Sequence, residues 1–246
     1  MSQNYFVVGD VHGKYELLCD ILKKWKEEQQ QLIFLGDLID RGENSKACLE
    51  LVWQLVRESG AICLMGNHER MFLAWLRDPI KRYDHYRRNG GDTTINSLLG
   101  RPLDAVVDGL VDAHAVMEQY EELVDFIKSC PYHWETEDHI FVHAGIDLTL
   151  VDWRETSNHD KVWLRKPFHE AENNTGKMIV FGHTPVYNLY QTRLRISQIW
   201  TSSDGKLGID GGAVYGGVLH GIVLDETGLV QDYTVGAVNP RKEVKD

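Results

Sequence analysis

The chain of 246 residues has little of what marks secreted, membrane-bound or disordered proteins. It contains only 4 cysteines and 6 prolines, and no apolar run approaches the ~20 residues that a transmembrane helix needs. Its first ten residues lack the apolar core of a signal peptide. The cysteines stand in apolar surroundings without metal-ligand spacing, so we expect free thiols in a reducing compartment. These absences predict a soluble, globular, cytoplasmic protein without a membrane partner.

Positive charge is also scarce. The 26 Lys and Arg residues face 37 Asp and Glu residues, which gives a net charge of −11. Nonspecific binding of nucleic acid needs a basic surface, so we do not expect it here. Anionic substrates are not excluded, because clustered carboxylates can hold cations that reverse the local field. Nothing in the composition indicates an oligomeric state.

The hydrophobic pattern predicts an α/β fold. Apolar runs at residues 5–8, 32–35 and 61–64 are each followed by a polar corner and a helical pattern, which indicates parallel strands joined by helices. Residues 70–130, approximately, have helical spacing and no flanking linker, so we predict a helical insertion within a single domain spanning 1–246. Later runs at 140–142, 178–181, 196–200, 207–209, 218–224 and 229–235 suggest antiparallel strands of a second sheet.

Residues that could bind a metal recur where these apolar runs end. They are Asp10, His12, Asp37, Asn67, His143 and His183. In open α/β sheets, ligands bind beyond the carboxyl ends of the strands, so we expect these side chains to converge on one crevice.

The types of side chain indicate the kind of site. Carboxylates, imidazoles and one amide oxygen, without thiolates, suit Mn²⁺, Fe or Zn²⁺ better than Ca²⁺. Six protein ligands exceed what one catalytic ion can accept while keeping positions open for substrate. They suit two ions about 3.5–4 Å apart that share a carboxylate, as in two-metal hydrolases.

Five motifs occur at these corners in a specific order. They are GDVHG at 9–13, GDLIDRG at 36–42, GNHE at 66–69, HAG at 143–145 and GHTP at 182–185. Over about residues 5 to 224, the chain resembles the calcineurin-like metallophosphoesterases. Asp40, Arg41 and Glu69 resemble the phosphoprotein phosphatase branch, and the chain is most similar to the compact bacterial and lambda-phage serine/threonine phosphatases. The resemblance implies a β-sandwich of mixed parallel and antiparallel sheets, flanked by helices.

The resemblance also implies a role for each motif residue. Asp10, His12 and the bridging Asp37 would hold one metal ion, and Asp37, Asn67, His143 and His183 the second. His68 would be the general acid with Asp40 as its carboxylate partner. Arg41, Arg165 and Asn67 would bind the phosphate. Both ions are expected to be manganese, with iron or zinc as alternatives.

These roles are chemically coherent. Two cations lower the pKa of a shared water, so that hydroxide is available for in-line attack on phosphorus without a phosphoenzyme. A serine alkoxide is a poor leaving group, and His68 can supply its proton while Asp40 orients the ring. A guanidinium such as that of Arg41 can meet two phosphate oxygens at once.

The sequence therefore predicts a metal-dependent phosphomonoesterase acting on phosphoproteins or small phosphoesters, with serine/threonine phosphoproteins as the preferred class. The alternatives on the same scaffold are a dinucleoside tetraphosphate hydrolase and a nucleotide or polynucleotide-end phosphatase. A catalytically inactive binding protein should lack a ligand or the acid, and none is missing.

Overall fold

The structure, a computed structural model, describes residues 4–190 and 196–236 as two five-stranded sheets flanked by helices. The strands are β1 Asn4–Val8, β2 Gln30–Phe34, β3 Ile62–Cys63, β4 His133–Glu135, β5 His139–Val142, β6 Met178–Phe181, β7 Trp200–Thr201, β8 Lys206–Gly208, β9 Leu219–Asp225 and β10 Gly228–Val235. The helices are α1 Tyr15–Leu22, α2 Ser45–Glu58, α3 Asn67–Arg77, α4 Pro79–Arg88, α5 Gly91–Leu98, α6 Val111–Gln119, α7 Glu121–Ser129, α8 Asp160–Trp163, α9 Lys166–Glu170 and α10 Val186–Leu189.

The first sheet has the strand order β10-β9-β1-β2-β3. Strands β1, β2 and β3 are parallel, as their alternation with helices predicts. The hairpin of β9 and β10 pairs antiparallel with the other edge of β1. The last two predicted strands therefore extend the first sheet and do not close the second.

The second sheet has the order β4-β5-β6-β8-β7. The prediction of antiparallel pairing was wrong for its three central strands, because β5, β6 and β8 are parallel. Long connections that carry α8, α9 and α10 join them, and crossovers of this length return the chain in the same direction.

One predicted strand is much shorter than expected. Of the run at 196–200, only its last residue belongs to β7, and the preceding residues pair with side chains. The carbonyl of Ser197 accepts from His220 Nε2 at 2.7 Å, and that of Ile199 accepts from the Tyr190 hydroxyl at 2.7 Å.

The core lies between the sheets and beneath the helices. Val7, Ile33, Phe141 and Val180 fill the space between the sheets, while their strand neighbours face the helices on the outer sides. Strands buried on both faces explain why the sequence shows continuous apolar runs instead of alternation.

The helical insertion predicted for about 70–130 is confirmed by α3 to α7. Its apolar side chains, such as Trp75 and Val124, join the same cluster as Phe6 of β1 and Val52 of α2. The predicted fold class is thus confirmed, whereas the single domain over 1–246 stays a prediction. Within 4–190 and 196–236, no helix combines the length and the apolar character that crossing a membrane would need.

Candidate metal centre and active site

The predicted site residues lie on tight corners after β1, β2, β3, β5 and β6. Across the described ranges, every non-glycine residue with positive φ is one of them: His12, Asp37, Asp40, Arg41 and His183 have φ between 47° and 71°. This backbone region is unfavourable for residues with a Cβ and persists only where surrounding contacts enforce it. Such outliers cluster at functional sites, and here they lie in the same corners as the sequence motifs.

Four of the predicted ligands converge. The Oδ1 atom of Asn67 lies 3.0 Å from His143 Nε2 and 2.8 Å from His183 Nδ1. The Nε2 atom of His143 is 3.4 Å from Asp37 Oδ1. The donor atoms of Asp37, His143 and His183 all lie within 4.8 Å of one another, and all three residues are buried.

A second group of donor atoms shares Asp37. Its Oδ2 atom is 3.5 Å from His12 Nε2, and the donor atoms of His12, Asp37 and His68 lie within 4.8 Å of one another. Asp37 therefore belongs to both groups, as a bridging ligand would, whereas His68 is predicted to be the acid and not a ligand. Asp10 is buried beside them, with both carboxylate oxygens accepting from the backbone N–H of His183 at 3.0 and 3.1 Å.

The histidines are oriented as metal ligands require. The Nδ1 atoms of His12 and His143 lie 2.8 Å from the backbone carbonyls of Ile39 and Leu35. A proton on Nδ1 leaves the lone pair of Nε2 pointing into the site. In addition, Nε2 of His183 is buried without a hydrogen-bond partner in the described structure. This donor set, of hard oxygens and borderline imidazoles, fits a pair of divalent transition-metal ions.

Charge is concentrated at the site. Burial and the neighbouring Asp210 raise the pKa of Asp10 well above its usual value. Burial also opposes ionisation of Asp37, but His143 and His68 outweigh it and lower the pKa of Asp37 well below its usual value. Burial opposes protonation of His143, yet Asp37 raises its pKa to about 9. Buried carboxylates this close together are stabilised by positive charge, which bound cations supply.

Glu69 fixes the corner that carries Asp37. Its carboxylate accepts hydrogen bonds from the backbone N–H groups of Asp37 and Leu38, each at 2.8 Å, and of Gly66 at 3.1 Å. A side chain at Gly66 would collide with the carboxylates of Asp37 and Glu69. The glycine of GNHE is thus required by the close approach of two corners, and its glutamate locks them together.

His68 and Asp40 form a buried pair. The Nδ1 atom of His68 lies 2.6 Å from Asp40 Oδ2. The other oxygen of Asp40 accepts from the Tyr86 hydroxyl at 2.7 Å and from the Thr94 hydroxyl at 2.6 Å. Asp40 itself is 0% exposed. Its carboxylate is therefore held from both sides, and the ring of His68 is held by it.

A cavity of about 220 Å³ opens onto these groups. Arg41 and Arg165, which sequence analysis assigned to phosphate binding, both line it together with His12 and His68. The Arg41 guanidinium lies 5.5 Å from the centre of the Tyr215 ring, and its Nη1 is 2.7 Å from His12 Nε2. Arg165 donates to the Thr184 hydroxyl at 3.1 Å. The structure thus brings every predicted site residue to one place.

Three residues of this region have no role predicted from the sequence. Asp210 lines the cavity and follows the apolar run of β8, so the rule that identified the other corners would have found it. Tyr86 and Thr94 reach Asp40 from the helical insertion, 46 and 54 positions away along the chain. Nothing in the sequence distinguishes Tyr86, and the position of Thr94 indicates only the start of a helix.

Comparison with known proteins identifies the family of the chain. The family model of the calcineurin-like phosphoesterases matches residues 4–209, and the chain belongs to that family. It is 28% identical to serine/threonine-protein phosphatase 1 of Salmonella typhimurium over 88% of this chain and 90% of that protein. It is likewise 28% identical to the asymmetrical bis(5′-nucleosyl)-tetraphosphatase PrpE of Halalkalibacterium halodurans, over 91% of each chain.

Solved structures share the fold. A proposed diadenosine tetraphosphatase superposes with a TM-score of 0.66 at 18% identity, covering 96% of this chain and 95% of that one. A yeast protein serine/threonine phosphatase superposes with a TM-score of 0.55 at 15% identity, covering 98% of this chain and 82% of that one. The solved structures confirm the predicted fold, and the family model with the curated relatives confirms the predicted family and a hydrolytic phosphatase activity. The individual roles of the site residues stay predictions.

Proposed function

We propose that the protein is a serine/threonine protein phosphatase that hydrolyses phosphomonoesters with two divalent cations. The observation that carries this proposal is the buried His68–Asp40 pair, 2.6 Å apart, of which His68 lines the same small cavity as the candidate metal ligands His12, Asp37 and His183. A serine or threonine alkoxide leaves slowly unless it is protonated, and a positioned imidazole is the usual proton donor.

Residues of this chain would hold the cations as the motifs imply. Asp10, His12 and Asp37 would bind one, and Asp37, Asn67, His143 and His183 the other. When bound, two such ions make hydroxide available at neutral pH and offset charge on the phosphate oxygens. Manganese is the proposed metal, because the mixed oxygen and nitrogen donors suit it, as they also suit iron and zinc.

The remaining steps belong to side chains. Arg41 and Arg165 would hold the phosphate oxygens from the side of the cavity. Asn67 would add an amide contact to the same phosphate. His68 would donate a proton from Nε2 to the leaving oxygen, while its Nδ1 stays bound to Asp40. The direct transfer to water requires no nucleophilic side chain, and none is proposed.

A second candidate function is hydrolysis of dinucleoside tetraphosphates. The asymmetrical tetraphosphatase relative matches this chain as closely in identity as the protein phosphatase relative does. Asp40 and Glu69 favour the protein phosphatase, because the tetraphosphatase branch usually lacks the first and has aspartate in place of the second. A nucleotide or polynucleotide-end phosphatase uses the same chemistry and remains the third candidate.

A comparison of kcat/KM with Mn²⁺ present tests these candidates. The substrates are phosphoserine, phosphothreonine and phosphotyrosine peptides, diadenosine tetraphosphate and a nucleoside monophosphate. We expect the highest values for the phosphoserine and phosphothreonine peptides. A clear preference for the tetraphosphate would replace the proposal with the second candidate, and inactivity of the metal-loaded protein on all of them would contradict a hydrolase.

We also propose a cytoplasmic location. All four cysteines are free thiols, as sequence analysis expected, although Cys19 is only partly buried. Proteins of oxidising compartments typically pair their cysteines.

A further inference from the structure

A second and larger cavity adjoins the catalytic one. This groove has a volume of about 940 Å³ and runs between α3, α4, α6, α7 and α8, where the helical insertion faces the second sheet's connections. Its floor is apolar, with side chains such as Met71, Leu76 and Val124. The catalytic cavity, at about 220 Å³, has room for a phosphate and little more, so the groove is where the rest of a substrate can be held.

The groove is positively charged although the chain is acidic. Arg70, Arg77, Arg82 and Lys128 line it, and among residues 4–190 and 196–236 its lining includes no aspartate or glutamate. Lys128 is paired with Asp125 at 2.8 Å. Within the described residues, the three arginines have no carboxylate within ion-pair distance, although the net charge of the chain is −11. Guanidinium groups that have no carboxylate partner and surround an apolar floor are complementary to an anionic ligand that also carries apolar atoms.

The groove shares part of its lining with the catalytic cavity. Asn67 and Trp163 line both. The ring of Trp163 lies 5.7 Å from that of His183 on the catalytic side and 6.2 Å from that of His159 on the groove side. Arg70, one turn along α3 from Asn67, contacts the carbonyl of Asn158 and the ring of His159 at the same boundary. A ligand whose phosphate lies in the catalytic cavity would therefore pass Arg70 first.

The spacing of the arginines matches an extended peptide. Arg70 and Arg77 are seven residues apart on α3, which corresponds to ~10 Å along the helix axis. An extended chain advances ~3.3 Å per residue, so this distance spans about three peptide residues. Of the two large aromatic side chains in the lining, Trp163 contacts the rings of His159 and His183, and Tyr132 packs against the core. Charge and spacing therefore favour an acidic peptide, and the test below distinguishes it from a nucleotide.

We propose that this groove binds acidic side chains of the phosphoprotein substrate, with Arg70, Arg77 and Arg82 as specificity-determining residues. The proposal rests on the proposed protein phosphatase function and narrows it to phosphoserine or phosphothreonine sites with acidic neighbours. The acidic residues would lie on one side of the phosphorylated residue and about three positions apart.

The test compares kcat/KM for three phosphoserine peptides with Mn²⁺ present. One peptide carries two aspartates about three positions apart on the N-terminal side, one carries them on the C-terminal side, and one is neutral. We expect one acidic peptide to exceed the neutral peptide about tenfold, as two partly solvated ion pairs allow. The excess should shrink in about 0.5 M NaCl, where charges are screened within a few ångströms.

Two double variants with the same change in net charge isolate the groove. Arg77→Glu with Arg82→Glu should abolish the excess or reverse it. Arg57→Glu with Lys81→Glu changes exposed residues of α2 and α4 that do not line the groove, and should preserve the excess. Circular dichroism and melting temperature establish that both variants are folded.

Several outcomes would overturn the proposal. They are equal kcat/KM values for acidic and neutral peptides, an excess that survives the groove variant, and an excess lost equally in the control variant. Loss of activity on diadenosine tetraphosphate alone in the groove variant would make the groove a nucleotide subsite instead. If the wild-type enzyme hydrolyses no peptide, the neutral one included, the proposed function itself fails.

Discussion

Proton donation by His68 predicts a graded response to three substitutions along one hydrogen-bonded chain. His68 is bound to Asp40 at 2.6 Å, and Asp40 is bound in turn to Tyr86 at 2.7 Å and to Thr94. His68→Asn removes the acid, Asp40→Asn removes the charge that balances an imidazolium, and Tyr86→Phe removes one of two donors that hold Asp40. We expect kcat on alkyl phosphates to decrease most in His68→Asn, less in Asp40→Asn and least in Tyr86→Phe.

The magnitudes follow from what each substitution removes. Loss of a general acid costs about 10²- to 10⁴-fold. A hydrogen bond to a charged group contributes about 1.5–3 kcal/mol, so Asp40→Asn should cost about 10- to 150-fold. Tyr86→Phe leaves Thr94 on the same oxygen and should cost about 1 kcal/mol, or roughly fivefold.

The leaving group separates this role from a structural one. p-Nitrophenolate departs without protonation, so kcat on p-nitrophenyl phosphate should fall much less than kcat on an alkyl phosphate in each variant. Metal content should not change for His68→Asn. Tyr83→Phe is the matched control, because its hydroxyl lies on the same helix and contacts Asp92 and Val107 instead of Asp40. Equal losses on both substrates would refute proton donation by His68.

Three further predictions concern other parts of the chain. Asp37→Asn should lower the bound metal measured by mass spectrometry from two ions to fewer than one per chain, because Asp37 belongs to both donor groups. The control Asp20→Asn should retain both ions. Full metal occupancy in Asp37→Asn would exclude Asp37 as a bridging ligand. Arg165→Ala should raise KM for a phosphopeptide about tenfold by removing a charged contact to phosphate. The control Lys166→Ala should leave KM unchanged. Equal effects of the two substitutions would contradict phosphate binding by Arg165. Burial, followed by Arg165 and Lys206, lowers the pKa of His169 to about 4. Because the folded state then binds this proton less readily than the unfolded chain, stability should fall as pH decreases from about 6.5 towards 4. The urea midpoint of His169→Gln should fall less over this range than that of the wild type, and parallel curves would contradict the shift.

The residues of the site could be predicted from the sequence more accurately than the topology of the sheets could. Metal-ligand types at the ends of apolar runs identified Asp10, Asp37 and His143 because the carboxyl ends of parallel strands meet at one edge of each sheet. The direction of the strands in the second sheet was not predictable in the same way. Glycine and aspartate occur both in hairpin turns and in the crossovers that join β5, β6 and β8, so the corners alone did not distinguish them.

The residues that hold Asp40 in place could not be predicted from the sequence for a different reason. Tyr86 and Thr94 act on Asp40 across 46 and 54 positions of the chain, from helices whose periodicity reports only their buried face. Contacts of this kind depend on how an insertion packs against a sheet, which the spacing of residues along the sequence does not predict. The insertion therefore completes the active site as well as lining the groove beside it.

The strained corners and the crowded charges have a common physical origin. A residue with a Cβ in the left-handed region costs about 1–2 kcal/mol, and five site residues adopt it. Hydrogen bonds to Glu69 and Asp40 offset part of this cost by fixing the corners that carry Asp37 and His68. In the described residues no arginine lies within ion-pair distance of Asp10, Asp37 or Asp210, so the remaining repulsion among them is only partly offset. Without cations, the strained backbone and the close carboxylates both cost free energy. Cation binding between the carboxylates would offset this cost, because the strained backbone positions are those of the predicted ligands and their neighbours.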